Sequence, residues 1–310
     1  MDIEQRLIWL NGEIVNVNEA KINVLAPTAQ FGANVFEGIR AYWNFEKQQL
    51  YAFRLEDHYK RLMNSIKVFR LNNPYSVEMM KQSLIATVRA NQYKEDIQIR
   101  QTVFVEGMGS WFSTGPIGMF IAPIPKERKN VPLDTGMKAM VSSWDRICDS
   151  SMSPKIKVGA NYINSRMAHL EARENGYDTA IFMNRQRKIA EGTGSCLFVV
   201  RDKCLITPPV TASILESITR DTILNIAEHL LKCKLEVRDI DRTELYIADE
   251  VFLCGSAAEV TPILNVDGYI VGDGNVGLLT QQIHQEYIRT VTGENHYNER
   301  WLTPIYDNCL

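Results

Sequence analysis

At 310 residues the chain is too long for one ordinary core and suits about two domains. An apolar fraction of 45%, a charged fraction of 23% and a net charge of −3 fit a globular protein. They give no reason to expect a nucleic-acid or membrane partner, and the longest apolar runs, such as Met119 to Ile124, fall far short of a membrane span.

The N-terminus, Met1-Asp2-Ile3-Glu4-Gln5, is acidic and lacks the basic start and apolar block of a signal peptide, so the cytoplasm is expected. Residues 7–10 and 13–17 flank Asn11-Gly12 and predict a hairpin closed by a two-residue turn. Residues 35–42 predict a strand in which Gly38 marks close approach by a ligand or another chain, with Arg40 on the same face. Leu55, Tyr59, Leu62, Ile66 and Phe69 form one helix face, with Arg61 beside it. A second helix is expected at about 76–91, then strands at 97–105 and 117–124 around a loop carrying Trp111 and Phe112.

The stretch Pro123 to Pro132 holds three prolines and three Lys or Arg residues. It marks a linker at 126–135, between a domain at 1–125 and one at 136–310. Beyond it the pattern predicts strands at 137–143, 179–183, 197–200, 235–239 and 250–254. Helices are predicted near 162–175, 219–232 and 277–292, with a hairpin at Asp267-Gly268. Strands and helices mix without a βαβ rhythm, which predicts an α+β fold. Cys148, Cys196, Cys204, Cys233, Cys254 and Cys309 show no CxxC pairing and read as reduced thiols. The five histidines are scattered, so no metal is expected.

Chemistry concentrates around Lys157. An amine becomes a nucleophile when its protonated form is disfavoured by desolvation or a nearby cation. Gly159 and Ala160 beside it would leave space for something flat. Glu191 precedes a turn of small residues, where a buried carboxylate could hold a heteroaromatic nitrogen protonated, or simply be solvated. Ser217, Ile218 and Thr219 enter an amphipathic helix and suit either an anion site or a plain cap. Gly255 and Ser256 follow an apolar strand and could offer N–H groups to an anion. Arg61 could pair with a phosphate.

Together the motifs resemble one family, the branched-chain amino-acid aminotransferases, pyridoxal-phosphate enzymes of fold type IV. The matching stretches include Trp9-Leu-Asn-Gly, Val35-Phe-Glu-Gly-Ile-Arg40, His58-Tyr-Lys-Arg-Leu62 and Val141-Ser-Ser-Trp-Asp-Arg146. They continue through Lys157-Val-Gly-Ala-Asn-Tyr162, Glu191-Gly-Thr-Gly, Ile218-Thr-Arg-Asp221 and Gly255-Ser-Ala-Ala-Glu-Val-Thr-Pro262. The resemblance implies a small N-terminal α/β domain, a larger C-terminal pseudo-barrel domain, a cofactor between them, and at least a homodimer.

By the same resemblance, Lys157 forms the Schiff base with pyridoxal 5′-phosphate and moves the proton between the substrate α-carbon and the cofactor. Tyr162 meets O3′, Glu191 the pyridine nitrogen, and Arg61, Ile218, Thr219 and Ser256 the phosphate. The backbone at Ser256 and Ala257 meets the α-carboxylate, and Phe36, Gly38, Arg40, Gln98 and Arg100 complete the substrate site. Phe31 and Gln98 stand where relatives commonly carry tyrosine, Cys196 where they carry asparagine, and Ser217 where they carry glycine. The implied reaction is ping-pong transfer of an amino group from an L-amino acid with a branched-chain or other apolar side chain to a 2-oxo acid. Alternatives are a fold type IV lyase such as aminodeoxychorismate lyase, or a D-amino-acid or amine transaminase. The Phe-Glu-Gly-Ile-Arg strand and Arg100 favour the first.

Overall fold

The Asn11-Gly12 dipeptide takes positive φ at both positions, 50° and 111°, and joins β1 (Leu7–Leu10) to β2 (Glu13–Asn16) as a tight antiparallel hairpin. This is the start of a computed structural model that describes residues 3–307; Cys309 lies outside them. The chain divides into two compact units. The first runs to Arg128 and takes back Ile156–Ala160 and the residues from Thr290 onward; the second is Lys129–Lys155 with Asn161–Arg289.

In the first unit, a short α1 (Pro27–Phe31) has Pro at its start and ends on Gly32 in the left-handed region. It leads into the long β3 (Asn34–Asn44), then β4 (Gln49–Phe53), α2 (Leu55–Val68), α3 (Val77–Asn91), β5 (Ile97–Val105) and β6 (Ile117–Pro125). With a return strand at Leu302–Pro304 these form one antiparallel sheet in the order 302–304, β4, β3, β5, β6, β1, β2. The predicted stripe of α2 (Leu55, Tyr59, Leu62, Ile66) is buried in one core with Met80, Leu84 and Val88 of α3 and Val35, Ile39 and Ala41 of β3. Phe69 falls one residue past the helix and packs at the margin of that core.

The second unit carries β7 (Met137–Asp145), α4 (Tyr162–Glu174), β8 (Thr179–Met183), β9 (Ile189–Gly192), β10 (Cys196–Arg201) and β11 (Cys204–Thr207). It continues with α5 (Ile218–His229), β12 (Lys234–Val237), β13 (Glu250–Gly255), β14 (Glu259–Val266), β15 (Tyr269–Ile270) and α6 (Leu278–Val291), of which Thr290 and Val291 count with the first unit. Its mixed sheet runs β12-β11-β10-β13-β14-β7-β8-β9, with β15 added to β14. The β11–β12, β14–β7 and β7–β8 pairs are parallel. Sequence periodicity does not mark α1, β4, β9, β11, β14 or 302–304. Strands β9 and β11 are four residues each and buried throughout, so they have no alternation to read.

The space that a side chain would take at Gly159 is filled by Asn34, whose Cγ would lie 3.0 Å from an added Cβ. Asn34 is itself tied to Thr28 by a 3.1 Å hydrogen bond. Gly159→Ala should therefore cost about 1–3 kcal/mol of stability through overpacking. Urea unfolding should show that loss, and adding Asn34→Ala should recover most of it.

Candidate active site

In the first unit, the backbone of Lys157 is held on both sides. Its carbonyl accepts from Phe36 N at 3.0 Å, its N–H donates to Ser65 Oγ at 3.1 Å, and Val158 bridges to Val35. Ser65 Oγ in turn donates to the Arg61 carbonyl at 3.0 Å. The Lys157 ammonium lies 5.1 Å from the centroid of the Phe36 ring, and the Arg100 guanidinium carbon lies 4.1 Å from the same centroid.

The β3–β5 register sets Gly38 opposite Arg100 and Arg40 opposite Gln98, so Phe36, Gly38, Arg40, Gln98 and Arg100 share one face. The group that approaches Gly38 is Gln98, whose Nε2 would sit 3.4 Å from an added Cβ. Arg40 is only 2% exposed, donates to the Lys126 carbonyl at 2.8 Å and packs on the Tyr42 ring.

The opposite face of β3 holds an acid that the sequence reading left without a role. Glu37 is fully buried and accepts from Arg61 Nε and Nη2, both at 2.7 Å, and pairs with His58 Nδ1 at 2.7 Å. Burial alone would raise the Glu37 carboxyl, but the charge and hydrogen bonds of Arg61, helped by His58, hold it well below the usual carboxylate range. Burial pushes the His58 imidazole below its ordinary value, against the pull of Glu37 and with the charges of Arg61 and Lys157.

In the second unit, Tyr162 opens α4 and Glu191 ends in a buried polar cluster. Glu191 Oε1 accepts from Arg146 Nε at 2.8 Å and Oε2 from the Leu215 N–H at 3.2 Å, with the Cys196 thiol 3.8 Å away. Arg146 is steadied by Asn164 Oδ1 at 3.1 Å. Ser217 caps α5, accepting from Arg220 N at 3.1 Å, so this position serves the helix directly. Thr219 stands in the first turn beside Ile218, and Ser256 and Ala257 lie in the turn between β13 and β14. Among the described residues, the Thr219 and Ser256 side chains make no hydrogen bond.

Glu37, His58 and Arg146 stood in the motif stretches without a role, and Ser65 was not singled out at all. Their signal was present: one acid inside an apolar strand, and His58, Arg61 and Ser65 spaced three and four apart on α2. Among the described residues no group of three or more His, Cys, Asp or Glu side chains is placed to hold a metal, and no helix is long and apolar enough to cross a membrane.

The sequence profile of the class IV amino-transferases matches residues 34–266. The chain is 37% identical over 305 residues to the probable branched-chain-amino-acid aminotransferase of Aquifex aeolicus, covering 96% of both chains. The chain belongs to the branched-chain aminotransferase family of class IV. It superposes on the branched-chain aminotransferase of Thermoproteus uzoniensis, solved with norvaline, with a TM-score of 0.90 at 42% identity, covering 97% of this chain and 99% of that one. For the Thermobaculum terrenum enzyme in its pyridoxal-phosphate form the TM-score is 0.92 at 41% identity, over 99% and 100%. As a class IV aminotransferase of fold type IV, the protein depends on pyridoxal phosphate.

Two outcomes follow for this aminotransferase. Arg146→Ala strands a buried carboxylate and should cost about 3 kcal/mol in urea unfolding, with Arg146→Lys recovering part. Both His58 and Glu37 have folded-state pKa values below their unfolded ones. Their contribution to stability is therefore complete above the unfolded values, 6.5 and 4.5, and is lost as pH falls below each in turn. Thermal melts from pH 7.5 to 4 should decline in that order, and His58→Gln should flatten the upper segment.

Proposed function

We propose that the enzyme moves an amino group between an apolar or branched-chain L-amino acid and a 2-oxo acid, with glutamate as the partner donor, and that Lys157 is its catalytic residue. The observation that carries this reading is the shared face of β3 and β5, where the Lys157 ammonium and the Arg100 guanidinium both lie against Phe36. The residues fit pyridoxal phosphate. Lys157 offers the amine, Thr219 and Ser256 offer hydroxyls not engaged within the described chain, and Glu191 is a buried carboxylate.

When bound, the protonated pyridine ring supplies an electron sink for charge developing at the substrate α-carbon. Lys157 would bind the cofactor and then hold and return the α-proton at Nζ. Glu191 would keep the ring nitrogen protonated, its own position fixed by Arg146. Tyr162 would orient O3′, and Arg61, Ile218, Thr219 and Ser256 would hold the phosphate. The turn at Ser256 and Ala257 would receive the α-carboxylate.

Phe36, Gly38 and Gln98 would line the side-chain space, and Arg100 would take the distal carboxylate of glutamate, Arg40 being engaged with Lys126. Phe31 and Gln98 offer no phenolic hydroxyl to a carboxylate, which favours bulkier apolar donors over glutamate. A cytoplasmic enzyme agrees with Cys148, Cys196, Cys204, Cys233 and Cys254 all being free thiols. Met108, Trp111 and Phe112, exposed together on one loop, support at least a homodimer.

Lys157→Ala should abolish turnover while the cofactor still binds. Arg100→Met should lower kcat/KM for glutamate about ten- to a hundred-fold, the worth of a charge-assisted contact, and leave leucine nearly unchanged. Equal loss for both donors would remove Arg100 from glutamate recognition. Phe31→Tyr with Gln98→Tyr should raise glutamate relative to phenylalanine.

A further inference from the structure

We infer that Glu37 is a positioning residue for the cofactor phosphate: its buried carboxylate fixes the Arg61 guanidinium in the orientation from which the remaining N–H groups of Arg61 reach that phosphate. The inference rests on the reading of Arg61 as a phosphate ligand. Glu37 lies in an apolar strand segment, between Phe36 and Gly38, at 0% exposure. A carboxylate there is tolerated only when its lone pairs are filled by partners.

Those partners also define a geometry. Arg61 spends its Nε edge on Glu37 through two 2.7 Å hydrogen bonds, and because the guanidinium is a rigid planar fork, its other N–H groups must point away from the acid. The carboxylate is itself kept from turning by His58 Nδ1 on Oε2. His58 and Arg61 are one turn apart on α2, so a single helical turn carries both clamps. The same turn reaches Lys157, because the Arg61 carbonyl accepts from Ser65 Oγ, and Ser65 Oγ accepts from the Lys157 N–H. One rigid assembly therefore aims the guanidinium and seats the lysine backbone.

Charge alone predicts the opposite effect of Glu37. A carboxylate beside Arg61 offsets part of the attraction for a dianion, so removing it would tighten phosphate binding if bulk charge dominated. Positioning predicts weakening, since a released arginine regains rotamer freedom that it must lose again on binding.

The test is titration of the cofactor-stripped full chain with pyridoxal phosphate and, separately, with pyridoxal, followed by absorbance. Glu37→Gln should weaken pyridoxal-phosphate binding about tenfold, with less than about twofold change for pyridoxal, the loss expected for a charge-assisted hydrogen bond. In an Arg61→Lys background, which has no fork to orient, adding Glu37→Gln should change the phosphate preference by less than about twofold. Unchanged or tighter binding in Glu37→Gln, while Arg61→Lys alone loses phosphate preference, overturns the positioning role and leaves Arg61 in place. An Arg61→Lys variant that weakens both ligands equally removes Arg61 from the phosphate, and the inference with it. Should Glu37→Gln fail to give a cooperative thermal melt, Glu37→Asp is read by the same outcomes; it keeps the charge but is one methylene too short for both contacts.

Discussion

Two hydrogen bonds to the peptide groups of Lys157, from Phe36 and to Ser65, decide where its amine can act. They draw residues 156–160 out of the second unit's stretch of sequence and into the first. With its main chain satisfied on both sides, the lysine keeps only its side-chain torsions, and its ammonium rests on a ring that belongs to the strand holding it. The glycine two residues on belongs to the same solution. Asn34 fills the space beside Gly159, which lets the segment lie close against the start of β3.

What the sequence makes legible follows from length and period. The α2 and α3 segments are long enough for a 3.6-residue stripe to stand out, and their burial matches it; β3, buried at every position after Asn34, is legible by its 11-residue length instead. Strands β9 and β11 carry no such rhythm because both their faces are covered. The site divides similarly. Lys157, Arg61 and Arg100 are readable as motif residues, since their chemistry is evident from residue type. Glu37, Ser65 and Arg146 acquire meaning only from a partner distant in sequence: Glu37 from Arg61, Ser65 from Lys157, and Arg146 from Glu191. An acid in an apolar strand announces that a partner exists without saying which.

The departures from the family pattern in the second unit have different physical weights. Ser217 gives α5 a side-chain cap that a glycine could not, so the change strengthens the start of the helix bearing Thr219. Cys196 places a thiol near Glu191, where an asparagine would offer a stronger donor; Arg146 and the Leu215 N–H carry the carboxylate instead. The acid is thus held chiefly by a cation and a main-chain group.

The period-two geometry of β3 separates two kinds of tolerance to change. Odd-numbered positions such as 35, 37 and 39 answer to the helices and the buried acid, whereas 36, 38 and 40 answer to what lies on the other side. Evolution can therefore retune substrate preference by substitutions on one row, as at Gln98 opposite Arg40, without unsettling the scaffold. An insertion or deletion of a single residue in this strand has no such freedom. It would exchange the rows and lose recognition and support in one step.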